Sequence, residues 1–123
     1  MADEIQVRAR LTYSKATAGS GGHEYTGSFT FTGTKVWSGL QNVGTSEEAL
    51  VLGDTTAAGG GWLLIKNLDA TNYVEIKSAT GVTALIRLKA GEFALFRRSA
   101  SSTAPFVQAN TSAVNIEVTM LDD

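Results

Sequence analysis

Residues 113–121 read AVNIEVTML, and their alternation decides the fold class of this chain. In an extended strand, apolar side chains at every second position lie on one face and the polar side chains between them lie on the other. The apolar positions are Val114, Ile116, Val118 and Met120. Residues 5–13, IQVRARLTY, repeat the pattern, with apolar positions at Ile5, Val7, Ala9, Leu11 and Tyr13. Both stretches predict strands with one buried face.

Short segments of the same kind continue along the chain, and none carries a helical stripe. Further strands are predicted at residues 29–37, 47–54, 61–68, 72–77, 82–89 and 91–98. The nearly continuous apolar run at 61–68 is typical of a strand covered on both faces. The glycine-rich residues 14–28 predict a mobile loop. The sequence therefore predicts an all-β fold, an antiparallel, jelly-roll-like β-sandwich of eight or nine short strands. We expect one domain over residues 1–123, with a flexible end at 1–4.

Composition excludes several classes of function. The 123 residues carry a net charge of −2, which disfavours nucleic acid as the main partner. There is no Cys and a single His, His23, so thiolate chemistry and a multi-histidine metal centre within one chain are excluded. The start of the chain is acidic, unlike a signal peptide, and no apolar run approaches the ~20 residues of a membrane helix. We therefore expect a soluble cytoplasmic product with no membrane partner.

Residues 66–77, KNLDATNYVEIK, hold the densest group of oxygen-bearing side chains. Asp69, Asn72 and Glu75 could supply oxygens to Ca²⁺, but their spacing matches no known calcium loop. Side chains of this type also bond their own backbone in turns, and we assign that turn-shaping role to Asn67, Asp69 and Asn72. His23 has no serine or acid placed beside it by any recognised motif. We expect no catalytic residue, metal or cofactor, and no enzymatic activity.

Charged residues give the remaining candidates. If residues 82–89 and 91–98 pair as a hairpin, four basic side chains gather near its open end. Both a solvated surface and a contact, either between copies of the chain or with a neighbouring protein, remain open for this cluster. Phe96 has the opposite parity to Phe93 and Leu95, so one face of this strand is exposed or covered by another subunit. The candidate interaction residues are Asp3, Glu4, Arg8, Arg10, Arg87, Lys89, Arg97 and Arg98.

Three segments resemble small virion structural proteins of tailed bacteriophages, of the capsid cement or decoration type. They are GWLLIKNLDATNYVEIK (61–77), LIRLKAGEFALFRR (85–98) and ANTSAVNIEVTMLDD (109–123), so that the resemblance covers roughly residues 60–123. The shared pattern is a strand, an Asn-Leu-Asp turn, a Tyr-Val-Glu strand, a Leu-Lys-x-Gly-Glu hairpin and a closing strand.

The resemblance implies a non-enzymatic protein that decorates the outer capsid surface and is made in the bacterial cytoplasm. It implies the major capsid protein as a partner, together with copies of the chain itself, as a homotrimer. We expect the N-terminal segment 1–13 to be able to add a strand to a neighbouring sheet. The alternatives are a head–tail or tail structural protein and a carbohydrate-binding module that uses Trp37 or Trp62. A small β-barrel enzyme is disfavoured by the single histidine.

Overall fold

A computed structural model describes residues 4–56, 58–100 and 103–122. The chain divides into two compact units, Met1–Thr32 and Gly33–Asp123. The described residues contain ten strands and no helix, and all the strands pair antiparallel, which confirms the all-β prediction. Within these residues no helix has the length and apolar character needed to cross a membrane.

The sequence predicts a single sandwich over residues 1–123, whereas the two packed sheets lie within the second unit. Of the flexible end predicted at 1–4, only Glu4 falls among the described residues.

The second unit contains two four-stranded sheets. One has the order β3-β10-β5-β8 and the other β4-β9-β6-β7. The strands are β3 Val36–Val43, β4 Glu48–Ala49, β5 Gly61–Asn67, β6 Val74–Lys77, β7 Ile86–Leu88, β8 Phe93–Arg98, β9 Phe106–Ala109 and β10 Val114–Leu121. Every connection except that from β6 to β7 crosses from one sheet to the other. This order is that of a jelly roll, as predicted.

The inner faces of the two sheets form one hydrophobic core. Both sheets contribute buried residues, among them Leu63 and Ile65 from β5 and Val74 from β6. Strand β10 supplies the four apolar positions predicted from its alternation, and all four are buried. The inner face of β10 packs on the core, and its neighbours β3 and β5 flank it on both sides, so these side chains are shielded from solvent.

Strand β5 departs from its prediction. Its apolar run suggested cover on both faces, but its burial alternates, and Leu64 and Lys66 lie on an exposed outer face. Strand β3 also differs, since it begins at Val36, whereas the sequence predicted a strand over 29–37. In β5, the exposed Leu64 therefore lengthens the apolar run without belonging to the core.

The first unit is a long β-hairpin. Strand β1, Ile5–Lys15, pairs with β2, Gly19–Phe29, from Ile5 opposite Phe29 to Lys15 opposite Gly19. A turn closes the hairpin, with the N–H of Ala18 donating to the carbonyl of Lys15 at 3.0 Å. Eleven residues at about 3.3 Å each give strands roughly 35 Å long. The strand predicted at 5–13 is present, but most of its apolar face is exposed.

The loop predicted at residues 14–28 is wrong, because most of it forms β2. Glycine there makes room for side chains of the hairpin. A Cβ at Gly21 would lie 2.7 Å from the Tyr13 hydroxyl, and one at Gly27 would lie 2.7 Å from the Phe29 ring. A glycine beside an aromatic ring of the same strand or of its partner is compatible with a strand, and composition alone does not reveal that arrangement.

Residues 82–89 and 91–98 do not pair as a hairpin, which was the condition for a cluster of basic side chains at its open end. Strand β7 pairs with β6 and strand β8 pairs with β5, so the two lie in different sheets. The turn between them exists, since the N–H of Glu92 donates to the carbonyl of Lys89 at 3.0 Å and Gly91 has a φ of 76°. A turn signal shows where a strand ends but does not show which strand it pairs with.

Candidate interaction surface on the hairpin

The hairpin has an apolar face that is exposed along most of its length. Directly opposed residues of an antiparallel pair lie on the same face. Leu11 and Tyr25 are 73% and 70% exposed, and Tyr13 is also exposed. The rings of His23 and Tyr25 stack with centroids 6.2 Å apart. We call this surface the hairpin face, and its members by register are Val7, Ala9, Leu11, Tyr13, His23, Tyr25 and Phe29.

The opposite face of the hairpin is polar and includes two of the predicted interaction residues. Arg8 and Arg10 both lie near one carboxylate, with N–O distances to Glu24 Oε2 of 3.2 Å and 3.8 Å. All three side chains are substantially exposed, so these ion pairs contribute little to stability. Glu4 Oε2 accepts a hydrogen bond from the N–H of Phe31 at 3.1 Å. Asp3, another predicted interaction residue, lies outside the described residues.

In the sandwich, Arg87 and Lys89 take part in local contacts. The Nη2 and Nε atoms of Arg87 lie 2.9 Å and 3.2 Å from Glu75 Oε2, and its guanidinium stacks 4.1 Å from the centroid of the Tyr73 ring. The hydrogen bond to Glu75 raises the pKa of Arg87. The backbone N–H of Lys89 donates to Glu92 Oε1 at 2.7 Å within the turn. Arg87 therefore forms a cross-strand pair rather than joining a basic cluster.

Arg97 and Arg98 are adjacent in sequence but differ in environment. Arg97 is exposed, with its guanidinium 6.0 Å from the Trp62 ring. Arg98 is only 7% exposed, and its Nη2 donates to the carbonyl of Gly60 at 2.7 Å and to that of Thr56 at 3.3 Å. Burial lowers the pKa of Arg98. Arg98 therefore holds the loop before β5 from inside the sandwich, where it is not available to a partner.

The three residues assigned to turn shaping bond within the β5–β6 connection. Asn67 donates through Nδ2 to the carbonyls of Asn72 (2.8 Å) and Leu88 (3.0 Å), and its Oδ1 accepts from the N–H of Asp69 at 2.8 Å. Asp69 Oδ2 accepts from the N–H groups of Asn72 and Thr71 at 2.6 Å and 2.9 Å. These bonds hold the pKa of Asp69 below its ordinary value, with that from Asn72 the larger cause. The connection crosses between the sheets, so it is not a hairpin turn.

Three aromatic residues of the sandwich have packing roles. Trp37 packs partly buried against the core, and a Cβ at Gly53 would lie 2.5 Å from its ring. Tyr73 lies under the Arg87 guanidinium, and Phe96 packs on the core. Phe93 is well exposed, at 67%. The positions of Trp37, Tyr73 and Phe96 therefore favour packing over stacking on a sugar.

Within the described part of the chain, no three His, Asp or Glu side chains come close enough to hold a metal ion. Glu75, considered with Asp69 and Asn72 as a calcium ligand, instead accepts hydrogen bonds from Arg87. His23 lies on strand β2 rather than in a loop.

Sequence reasoning missed the hairpin face because it assigned burial to β1 and a loop to β2. A usable signal was present in residues 19–29, where His23, Tyr25 and Phe29 share one parity. Pairing that parity with the apolar positions of β1 gives the complete hairpin face. Comparison of this chain with protein-family models, with curated proteins and with solved structures finds no match.

Proposed function

We propose that this chain is a non-enzymatic virion protein of a tailed bacteriophage that decorates the outer capsid surface and stabilises the shell. In this proposal the major capsid protein is its main partner, and copies of the chain associate with one another. The observation that carries the proposal is the hairpin face, a row of exposed apolar side chains on a strand pair about 35 Å long.

A covered hairpin face is energetically favoured. A two-stranded hairpin alone is marginally stable in water, and an extended apolar surface is typical of a protein interaction site. Burying a large apolar side chain such as Leu11 contributes on the order of 1.5–3 kcal/mol. The hairpin therefore has the properties of an arm that docks on neighbouring shell subunits.

Decoration works through several modest contacts made at once. The jelly roll supplies a rigid body with a continuous core, and the hairpin supplies an elongated docking surface. Once one contact forms, the others become effectively intramolecular, so that their affinities combine. A protein bound across several subunits then resists their separation.

The test is co-sedimentation with undecorated capsids of the phage that encodes the chain. We expect the wild type to pellet with the shells, and a Leu11→Asp, Tyr25→Asp double variant to bind at least about tenfold more weakly, because two charges would have to be buried. The matched control is Thr12→Asp with Thr26→Asp, which adds the same charge on the polar face. Wild-type chain that never pellets with shells would refute the proposal, as would equal binding by the two double variants.

The alternative of a head–tail or tail structural protein uses the same kind of surface. The neighbourhood of the gene distinguishes the two, since an adjacent major capsid gene supports decoration and adjacent tail genes support the alternative. The carbohydrate-binding alternative predicts glycan binding that is lost in folded Trp37→Ala or Trp62→Ala protein.

A further inference from the structure

Strand β8 forms one edge of the sheet β3-β10-β5-β8, yet its first four residues, Phe93–Phe96, are all apolar. Phe93 and Leu95 lie on its outer face with 67% and 37% of their surface exposed. Ala94 and Phe96 lie on its inner face and pack on the core. A strand that is apolar on both faces is typical of a covered position, and exposed apolar edges promote association.

Among the described residues, the other sheet edges of the sandwich are better protected. Strand β4 has two residues and β7 has three, and such short edges offer little backbone for pairing. Strand β3 is longer, but its Gln41 side chain bonds the backbone of Ala49 and Val51, which connects this edge to the end of β4 and the residues after it. Strand β8, by contrast, is six residues long and has apolar side chains on both of its faces.

The backbone of β8 has hydrogen-bonding groups on its outer side. The N–H of Asn67 donates to the carbonyl of Glu92 at 2.9 Å, so Glu92 directs that group toward the β5 side. Backbone groups alternate in direction along an antiparallel strand. Phe93 and Leu95 therefore direct their N–H and C=O groups away from β5, toward an edge where no described strand pairs.

We propose that β8 pairs antiparallel with β8 of a second copy of this chain, centred on Leu95. Residues on the same face then oppose one another, as the pleat requires. The two Leu95 residues exchange backbone hydrogen bonds, and Phe93 lies opposite Arg97 of the second copy. On the inner face, Ala94 lies opposite the larger Phe96.

Charge favours this arrangement. Residues 92–98, EFALFRR, begin with an acidic residue and end with two basic residues. Antiparallel pairing brings the acidic start of one copy's segment beside the basic end of the other's, whereas parallel pairing would place like charges together. The Arg97 guanidinium also lies against the Phe93 ring of the second copy, a favourable cation–π geometry. The strand is thus complementary to itself in charge and in side-chain size.

A groove of about 550 Å³ lies between the end of β8 and the start of β7, and the second copy would cover it. Its apolar lining includes Ile76, Leu85, Ile86 and Phe96. A six-residue strand is only about 20 Å long, so the contact is at the small end of protein interfaces. We expect a weak, concentration-dependent dimer that joins two sheets into one of eight strands.

The test is sedimentation velocity of the purified chain from about 1 µM to about 1 mM, which covers micromolar to millimolar dissociation constants. It needs no capsid, so its outcome is independent of the proposed function. We expect reversible dimers, and a dissociation constant raised at least about tenfold by Leu95→Asp, which places two like charges opposite each other. The matched control, Leu40→Asp, adds the same charge on the exposed outer face of the opposite edge strand, and dimerisation should persist. Circular dichroism and thermal melting confirm that both variants are folded.

A crosslinking experiment tests the register without weakening the interface by charge. The chain contains no cysteine, so Leu95→Cys and Leu40→Cys each introduce a single thiol. A short bismaleimide should join two Leu95→Cys chains and leave Leu40→Cys chains monomeric. A wild type that stays monomeric, dimers that survive Leu95→Asp, or equal crosslinking of the two cysteine variants would overturn the proposal. Any of these results would favour a segment of another protein, rather than a second copy of this chain, as the partner of the β8 edge.

Discussion

Replacing Asn67 should be among the most damaging polar substitutions in the sandwich. Its side chain is fully buried at the end of β5 and makes three hydrogen bonds to the backbone. Two of them shape the connection to β6, and the third reaches the carbonyl of Leu88 in β7. One amide thus joins an end of one sheet to an edge strand of the other.

The magnitude follows from these contacts. The two hydrogen bonds within the connection contribute about 1 kcal/mol each, and leaving the buried Leu88 carbonyl without a donor costs about 1–3 kcal/mol. We therefore expect Asn67→Ala to lower the free energy of unfolding by about 3–5 kcal/mol. For a domain of this size, the corresponding fall in Tm is about 15 °C. The matched control is Asn42→Ala, which removes one exposed side-chain bond to Asn115 and should cost no more than about 0.5 kcal/mol.

Asn67→Asp tests the same reasoning with almost no change in volume. It removes both N–H donors and places a carboxylate against the carbonyls of Asn72 and Leu88. At neutral pH it should cost at least as much as Asn67→Ala. Burial raises the pKa of this new carboxyl, so the folded state binds a proton more readily than the unfolded state, and stability should recover as pH falls. Urea unfolding followed by tryptophan fluorescence measures all three variants. Equal costs for Asn67→Ala and Asn42→Ala would refute this account.

Two further predictions concern turns. The depressed pKa of Asp69 means that its carboxylate stabilises the fold above the ordinary value of 3.8 and loses that effect as pH falls below it. The difference in unfolding free energy between wild type and Asp69→Ala should therefore be constant at neutral pH and shrink under acid, and a difference that grew under acid would contradict this sign. Gly91→Ala should cost about 1 kcal/mol because φ is 76° there, although a Cβ would meet no atom within 4 Å. Gly44→Ala, whose Cβ would make only an ordinary contact with Glu48, should be nearly neutral in the same melting experiment.

The sequence predicts strand character well wherever one face of a strand meets the core. Val114, Ile116 and Val118 are buried as their alternation indicates, because period two reports which face of a strand is apolar. The same signal does not report what covers that face. The apolar positions of β1 alternate just as clearly, yet Leu11 is exposed. Alternation therefore predicts correctly that a segment is a strand, but it does not predict whether the apolar face of that strand is buried.

Pairing was harder to predict than strand position. The turn at Lys89–Glu92 has the chemistry of a hairpin turn, but the strands on either side of it lie in different sheets. Partner choice in a jelly roll depends on contacts between residues distant in sequence, and local turn residues carry no information about them. Glycine caused the other large error, because Gly21 and Gly27 accommodate aromatic rings within a strand pair.

The most direct test of the proposed docking role is amide hydrogen exchange of the chain, free and bound to undecorated capsids. A free two-stranded hairpin opens readily, whereas a docked one is held by its contacts. We predict that peptides covering residues 5–29 exchange rapidly in the free chain and become strongly protected on the shell, while those covering β10 are slow in both states. Stable binding to shells with unchanged exchange across residues 5–29 would contradict the claim that the hairpin is the docking surface.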